Sequence, residues 1–355
     1  MDITEAVRRV VDGRHLERHE AASVMDQVMS GKATDAQIAA LLTGLRMKCE
    51  TVEELTGFAQ VIRAKASPVR PKSSVAAAFS GTDREMLVDT CGTGGDAAGT
   101  FNISTATAFV VAGAGIRVAK HGNRSVSGPC GSADVVEALG ISIDLSPDGV
   151  ARCIDEVGIG FLYAPLLHSA MRYVMLARRE MRIRTVFNLL GPLCNPAQAN
   201  AQVLGVYSEK LTETMAQVLC ALGARRAFVV HGSDGLDEIT IGGETKISEV
   251  RHGQVRTYYL TPEDFGIDRA PISAIQGGDA RRNAEIIREI LGGGGAEKQE
   301  VVLLNAAAGL VAGGKAENLR QGVALARDSI HSGEARSRLE RLAELTQKLS
   351  HSQAP

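Results

Sequence analysis

From Met86 onward the chain alternates short apolar runs with segments of helical period, and this rhythm leaves few architectures open. Met86–Asp89, Ile116–Ala119, Ile141–Ile143, Phe161–Tyr163, Val203–Tyr207 and Ala227–Val230 read as strands. Thr105–Ala114 and Ala133–Leu139 read as helices between them, and Ser146-Pro147 opens another, with serine as cap and proline in the first turn. Strands separated by helices cannot pair as hairpins. Each connection must cross over, which builds a largely parallel sheet covered by helices. Gly292–Gly295 reads as a loop, Ala316–Leu349 as helix and Ser350–Pro355 as a frayed tail.

Residues 1–66 carry a different signal, helices only. Ile38, Leu41, Leu42 and Leu45 share one helical face, and Val52, Leu55, Phe58, Ala59 and Ile62 form the next stripe. Thr34 with Gln37 and Thr51 with Glu54 have capping-box spacing, and Gly31 stands where a C-terminal cap belongs. Pro68, Pro71, Ser73 and Ser74 mark a linker. Between Ser169 and Leu190 the strands pause and a helical stretch returns. The expected fold class is therefore α/β: a small N-terminal helical domain plus a large domain with a mostly parallel sheet flanked by helices.

Composition narrows the partners. Formal net charge is -2, Trp is absent and aromatic residues are 4%, so neither a basic field nor stacking platforms point to nucleic acid. No apolar run reaches the roughly 18 residues that span a bilayer, and charges begin at Asp2, so no membrane segment or signal core is expected. The six cysteines form no CxxC pair and read as reduced structural thiols. A cytoplasmic location is expected.

Three polar segments follow strands. The first is Asp89–Thr105, DTCGTGGDAAGTFNIST, between a strand and a helix. Its glycines let the backbone approach an anion, and the helix start at Asn102–Thr105 adds unpaired amides and the Ser104 and Thr105 hydroxyls. It lacks Gly-Lys-Ser/Thr and so is no P-loop. It matches the loose dinucleotide fingerprint, yet the position expected to hold a ribose-binding acid is basic or apolar around Arg117 and Lys120. The second segment, Lys120–Ser132, offers Lys120 and Arg124 as fixed charges and Asn123, Ser125 and Ser127 as donors for phosphate oxygens. The third, His231–Ile239, gathers Asp234, Asp237 and Glu238 at a strand exit. Carboxylates beside a polyphosphate serve hard cations such as Mg2+.

GTGGD, NIST, KHGNRSVS, GSADVVEALG, RTVFNLLGPLCNPA and HGSDGLDEI stand in one order along the chain, and LLTGLRMKCET precedes them. In these motifs, and over nearly its whole length, the sequence resembles the anthranilate phosphoribosyltransferases. The resemblance implies transfer of the 5-phosphoribosyl group from phosphoribosyl pyrophosphate (PRPP) to the amine of anthranilate, a step of tryptophan biosynthesis. It implies a homodimer with the active site in the hinge between two domains. Residues 1–72 and 168–189 would form the helical, dimerising, acceptor-side unit, and residues 73–167 and 190–355 the PRPP- and Mg2+-binding unit.

Carried over by motif, Gly92, Gly95, Asp96, Thr100, Asn102, Ile103, Ser104, Thr105, Lys120, His121, Gly122, Asn123, Arg124, Ser125, Val126, Ser127, Gly128 and Ser132 would hold PRPP. Ser104, Asp237 and Glu238 would bind Mg2+. Gly92, Asn123 and Arg178 would contact anthranilate, and Lys120, His121, Asn123 and Arg178 would carry catalysis. Pro129, Ser169, Met175-Leu176 and Met181-Arg182 depart from the usual pattern, on the acceptor side, while the PRPP motifs are intact. A different aromatic acceptor, or a nucleoside phosphorylase of related architecture, is the alternative reading. A nicotinamide-dependent oxidoreductase would use the glycine turn but lacks the ribose acid, and a non-enzymatic PRPP-binding regulator would not need the metal motif.

Overall fold

A computed structural model of the chain describes residues 1–72, 86–125 and 130–352. Four helices lead: α1 (Ile3–Val11), α2 (Arg18–Met29), α3 (Asp35–Lys48) and α4 (Val52–Lys65). Thr34 and Thr51 cap α3 and α4 as their spacing predicts, with Gln37 and Glu54 returning the bond to the cap amides. Gly31 follows α2 at φ +70°, a conformation that favours glycine. Ile38, Leu41, Leu42, Leu45, Leu55, Phe58, Ala59 and Ile62 are all buried. Ser73 and Ser74 of the expected linker lie outside the described residues.

Among the described residues the sheet has seven strands: β1 (Leu87–Gly92), β2 (Arg117–Gly122), β3 (Ile159–Tyr163), β4 (Ala201–Gly205), β5 (Arg226–Gly232), β6 (Thr245–Arg251) and β7 (Gln254–Leu260), in the order β3-β2-β1-β4-β5-β6-β7. Strands β3 to β5 pair in parallel, and β6 and β7 add antiparallel. The chain runs outward from β1 to β2 and β3, then returns to place β4 on the other side of β1. That reversal opens a crevice beyond the carboxyl ends of β1 and β4, where open α/β sheets bind ligands.

The crossover helices are α5 (Ile103–Gly113), α6 (Ser132–Ala138), α7 (Pro147–Val157), α8 (Ala164–Leu167), α9 (Arg172–Met181), α10 (Val186–Leu193) and α11 (Leu211–Ala221). After the hairpin come α12 (Ala280–Leu291), α13 (Ala296–Ala312), α14 (Leu319–His331) and α15 (Glu334–Ser352). The core divides by sheet face. On one face α5, α7, α12 and α13 pack against Val88, Val118, Val203 and Phe228. On the other, the N-terminal helices join Val174 and Ala177 of α9, α10 and α11 against Cys91, Leu204 and Val229. The returning helical stretch thus shares a core with the first four helices. Among the described residues no helix is long and apolar enough to cross a membrane.

Three expectations fail locally. Ile141–Ile143 is not a strand. Both isoleucines are buried, but the Ile141 amide bonds the Val136 carbonyl at 3.0 Å and the Ser142 amide bonds Thr346 Oγ1 at 3.1 Å, so helices rather than a strand take its backbone groups. The helix expected over Ala316–Leu349 is two, α14 and α15, broken at Gly333 with φ +79°. Of the tail expected to fray over Ser350–Pro355, the part through Ser352 stays helical, and Gln353, Ala354 and Pro355 lie outside the described residues. The β6–β7 hairpin goes unforeseen. Its turn, His252-Gly253, has φ +52° and +74°, the doubly left-handed turn that suits a two-residue connection, without the usual Asn-Gly.

Candidate active site

The turn after β1, the end of β2 and the segment after β5 converge. Thr93 donates its amide to the Gly205 carbonyl at 2.9 Å, and its Oγ1 accepts from the Tyr207 amide at 3.1 Å, which ties the turn to β4. The Gly94 amide donates to Asp237 Oδ2 at 2.8 Å. Gly92 must be glycine for room: a Cβ there would stand 2.5 Å from that same Asp237 oxygen. Further on, Thr100 bridges to Gln276, and Asn102 Oδ1 accepts from Asn283 Nδ2 at 3.0 Å just before α5 begins at Ile103.

Lys120 is buried at the end of β2, and its Nζ donates to the Thr90 carbonyl at 2.6 Å and to Ser104 Oγ at 3.1 Å. The Glu238 carboxylate lies near enough to the Lys120 ammonium and the Ser104 backbone, in the first turn of α5, for both to favour its charged form. Ser104, Lys120 and Glu238, distant in sequence, therefore share one cluster. Thr105, expected beside Ser104, is instead buried, and its hydroxyl has no partner among the described residues, closed off from solvent. Ile103 is buried as well, so only its backbone can serve a ligand.

Electrostatics mark the cluster. Burial pushes the Asp237 carboxyl well above the usual carboxylate range, and the neighbouring Asp96 pushes it further. Glu238 is pushed well up by burial and then by Asp237, with Lys120 opposing. Carboxylates crowded this way favour either protons or a cation. Oxygen donors from Asp237, Glu238 and the Ser104 hydroxyl suit a hard ion. Among the described residues no three His, Cys, Asp or Glu side chains cage an ion unaided, so a resident Mg2+ would complete its coordination with substrate oxygens or water, its ordinary habit.

His121 does not face this cluster alone. Its amide donates to Asp89 Oδ1 at 3.2 Å, and its Nε2 lies 3.2 Å from Nε2 of His168. Burial, then the second ring, lowers His121 to about 3; burial lowers His168 to about 4, so both are neutral. An imidazole that weakly basic takes no proton at neutral pH. Asp89, buried and raised to about 6 by burial, is also bonded by Asn195 Nδ2 at 2.8 Å, and Asn195 reaches the Ala119 carbonyl at 2.8 Å. This hub ties β1 to β2 through side chains as well as the ladder.

Past β2, the Asn123 carbonyl accepts from the Ser132 hydroxyl at 3.3 Å and from the Ala133 amide at 3.1 Å. Arg124 points along α6, paired with Asp134 at 2.8 Å and Glu137 at 2.6 Å. Asp134 also accepts from the Gly131 amide at 2.8 Å and the Ser125 amide at 3.3 Å. Asp134 thus ties Ser125 to Gly131; Val126, Ser127, Gly128 and Pro129 lie outside the described residues.

Arg178 stands apart from its neighbours. Arg172, Arg179, Arg182 and Arg184 are exposed, whereas Arg178 is half-buried over the Phe187 ring at 5.2 Å. Burial lowers its pKa, and among the described residues no carboxylate pairs with it. Ser169, Met175, Leu176 and Arg182 are all exposed. Sequence reasoning missed Asp89, Asp134, His168 and Asn195. GSADVVEALG contains Asp134, but nothing local marks it as a clamp.

A family model described as "Glycosyl transferase family, a/b domain" matches residues 84–336, and one described as "Glycosyl transferase family, helical bundle domain" matches residues 4–66. The anthranilate phosphoribosyltransferase of Pelotomaculum thermopropionicum is 56% identical over 352 residues, covering 99% of each chain. That of Citrifermentans bemidjiense is 54% identical, over 97% of this chain and 99% of its own. Among solved structures, the Thermus thermophilus anthranilate phosphoribosyltransferase superposes with a TM-score of 0.88 at 43% identity, over 96% of this chain and 99% of that one. The Saccharomyces cerevisiae enzyme, in complex with PRPP and Mg, gives 0.85 at 26% identity over 98% of both chains. With its two domains matched in order and relatives this similar over the full length, the chain belongs to the anthranilate phosphoribosyltransferase family.

Proposed function

We propose that this chain transfers the 5-phosphoribosyl group of PRPP to the amine of anthranilate, releasing pyrophosphate, in tryptophan biosynthesis. The observation that carries this reading is the convergence of Ser104, Lys120, Asp237 and Glu238 on the glycine turn at the sheet's switch point. The Gly92–Thr105 turn, with Asp96, Thr100 and Asn102, and the Lys120–Gly128 run with Ser132 hold PRPP. Ser104, Asp237 and Glu238 hold Mg2+, which when bound would neutralise charge on the departing pyrophosphate. Arg178, half-buried and without a carboxylate partner among the described residues, grips the anthranilate carboxylate.

The amine lone pair forms the new bond to the anomeric carbon as the bond to pyrophosphate oxygen breaks and its electrons leave with that oxygen. The nitrogen, cationic once the bond has formed, then gives its extra proton to water. An aromatic amine is already neutral at pH 7, so no strong base is required, in keeping with the neutral His121. The contribution of the chain is positioning and electrostatic support, from amides of the turn and from the Lys120–Ser104 pair.

We extend the reading to organisation: residues 1–72 and 168–189 as the acceptor-side, dimerising unit, residues 73–167 and 190–355 as the PRPP unit, a homodimer, and a cytoplasmic location. The test mixes protein, Mg2+, PRPP and anthranilate and follows loss of anthranilate fluorescence. No loss with active PRPP present would overturn the assignment.

A further inference from the structure

Between α9 and α10 the chain passes through Arg184, which the chemistry above does not use. Its side chain is exposed, yet it makes two contacts far from its own segment. Nη2 donates to the carbonyl oxygen of Gly95, and the guanidinium lies 4.4 Å from the centroid of the Tyr207 ring. Tyr207 is itself bonded through its amide to Thr93 Oγ1 at 3.1 Å, so ring and turn are parts of one assembly. Gly95 has φ +80°, and a Cβ there would stand 2.9 Å from Arg184 Nη2. The third glycine of the GTGGD turn, Gly95, is thus required by backbone conformation and by the approach of this arginine.

The turn is held from two directions at consecutive residues. Asp237 takes the Gly94 amide, and Arg184 takes the Gly95 carbonyl. A trans peptide is planar, so fixing the Gly95 carbonyl also fixes the Asp96 amide of the same unit, pointing the opposite way. Glycine on one side of that unit would otherwise let it flip cheaply. We propose that Arg184 is a positioning residue for PRPP: held over the Tyr207 ring, it sets the Gly95–Asp96 peptide so that the turn presents its amides to the polyphosphate. This rests on the reading that the turn takes PRPP.

The test combines steady-state kinetics, each substrate varied separately, with calorimetric titration of PRPP and Mg2+ without anthranilate. Arg184→Gln is expected to raise the PRPP KM and Kd about threefold to tenfold, as for loss of one charge-assisted bond at an exposed site, with kcat and the anthranilate KM nearly unchanged. Arg184→Lys keeps the charge but lacks the planar fork that donates and stacks together, so it stays impaired. Tyr207→Leu, which removes no charge, reproduces the PRPP defect. Wild-type PRPP affinity in Arg184→Gln overturns the proposal. So does equal loss in both KM values, or full rescue by lysine, or a silent Tyr207→Leu. Should Tyr207→Leu not fold, the glutamine and lysine variants decide alone. Failure of wild-type protein to consume anthranilate would sink the assigned reaction instead, and the calorimetric titration would still judge Arg184.

Discussion

Neutralising Asp237 should make the protein more stable and less active at once. Burial raises its carboxyl, with Asp96 as the next cause, so the folded state disfavours its charge. Asp237→Asn keeps an oxygen for the Gly94 amide, now bonded at 2.8 Å, and removes only the charge. Like charges about 4 Å apart repel by about 4 kcal/mol at an effective dielectric near 20. Both groups are only half-buried, so solvent reduces this to about 1–2 kcal/mol.

The sign follows from the raised value. The folded state holds the proton more tightly than the unfolded chain. Stability is therefore fully present below the unfolded pKa of about 4 and is lost as pH rises through the folded value. Without Mg2+, Asp237→Asn should gain about 1–2 kcal/mol over wild type at pH 8, and the gap should close near pH 4. Urea melts across that range measure it. With Mg2+ and PRPP the order should reverse, because ligands stabilise the chain that binds them. Turnover should fall at least about tenfold, partly restored by more Mg2+. An apo variant no more stable than wild type at pH 8, or with wild-type Mg2+ dependence, would refute the carboxylate-cluster argument.

Arg178→Ala should raise the anthranilate KM about tenfold to a hundredfold, the worth of a charge-assisted pair, while the PRPP KM stays near wild type; equal effects on both would mean damage to α9. Gly94→Val should abolish PRPP binding in a folded protein. No described atom lies within 4 Å of a Cβ there, so the cost comes from φ +65° in a β-branched residue, and wild-type affinity by calorimetry would remove the turn from the donor site. His121 and His168 are lowered to about 3 and 4, so the unfolded chain binds their protons first and stability is lost as pH falls below about 6.5. His168→Gln should flatten that loss in melts between pH 7.5 and 5, and an unaltered slope would contradict a neutral pair.

Much of the molecule is legible in local chemistry. Helix starts at Thr34, Thr51 and Ser146 follow from side chains that satisfy amides a few residues away. Strands β1 to β5 carry short apolar runs because both faces of a parallel sheet are covered, and the glycine turn is visible because left-handed φ leaves few residue choices. The order of the polar motifs was enough to indicate the family. What the residues alone could not decide is who stands beside whom. Ile141–Ile143 has a strand's composition but, among the described residues, no strand beside it, and β6–β7 is a strand pair whose His-Gly turn hides it. Asp89, Asp134, His168 and Arg184 take their roles from partners such as Asn195, Ser125, His121 and Gly95, most of them far away along the chain. Backbone preference and hydrophobic period act over a few neighbouring residues, so sequence by itself determined the elements and the chemistry of each loop. Convergence of Ser104, Lys120 and Glu238 requires strand order, and strand order is set by burial and loop closure over the whole chain, which only the tertiary structure decides.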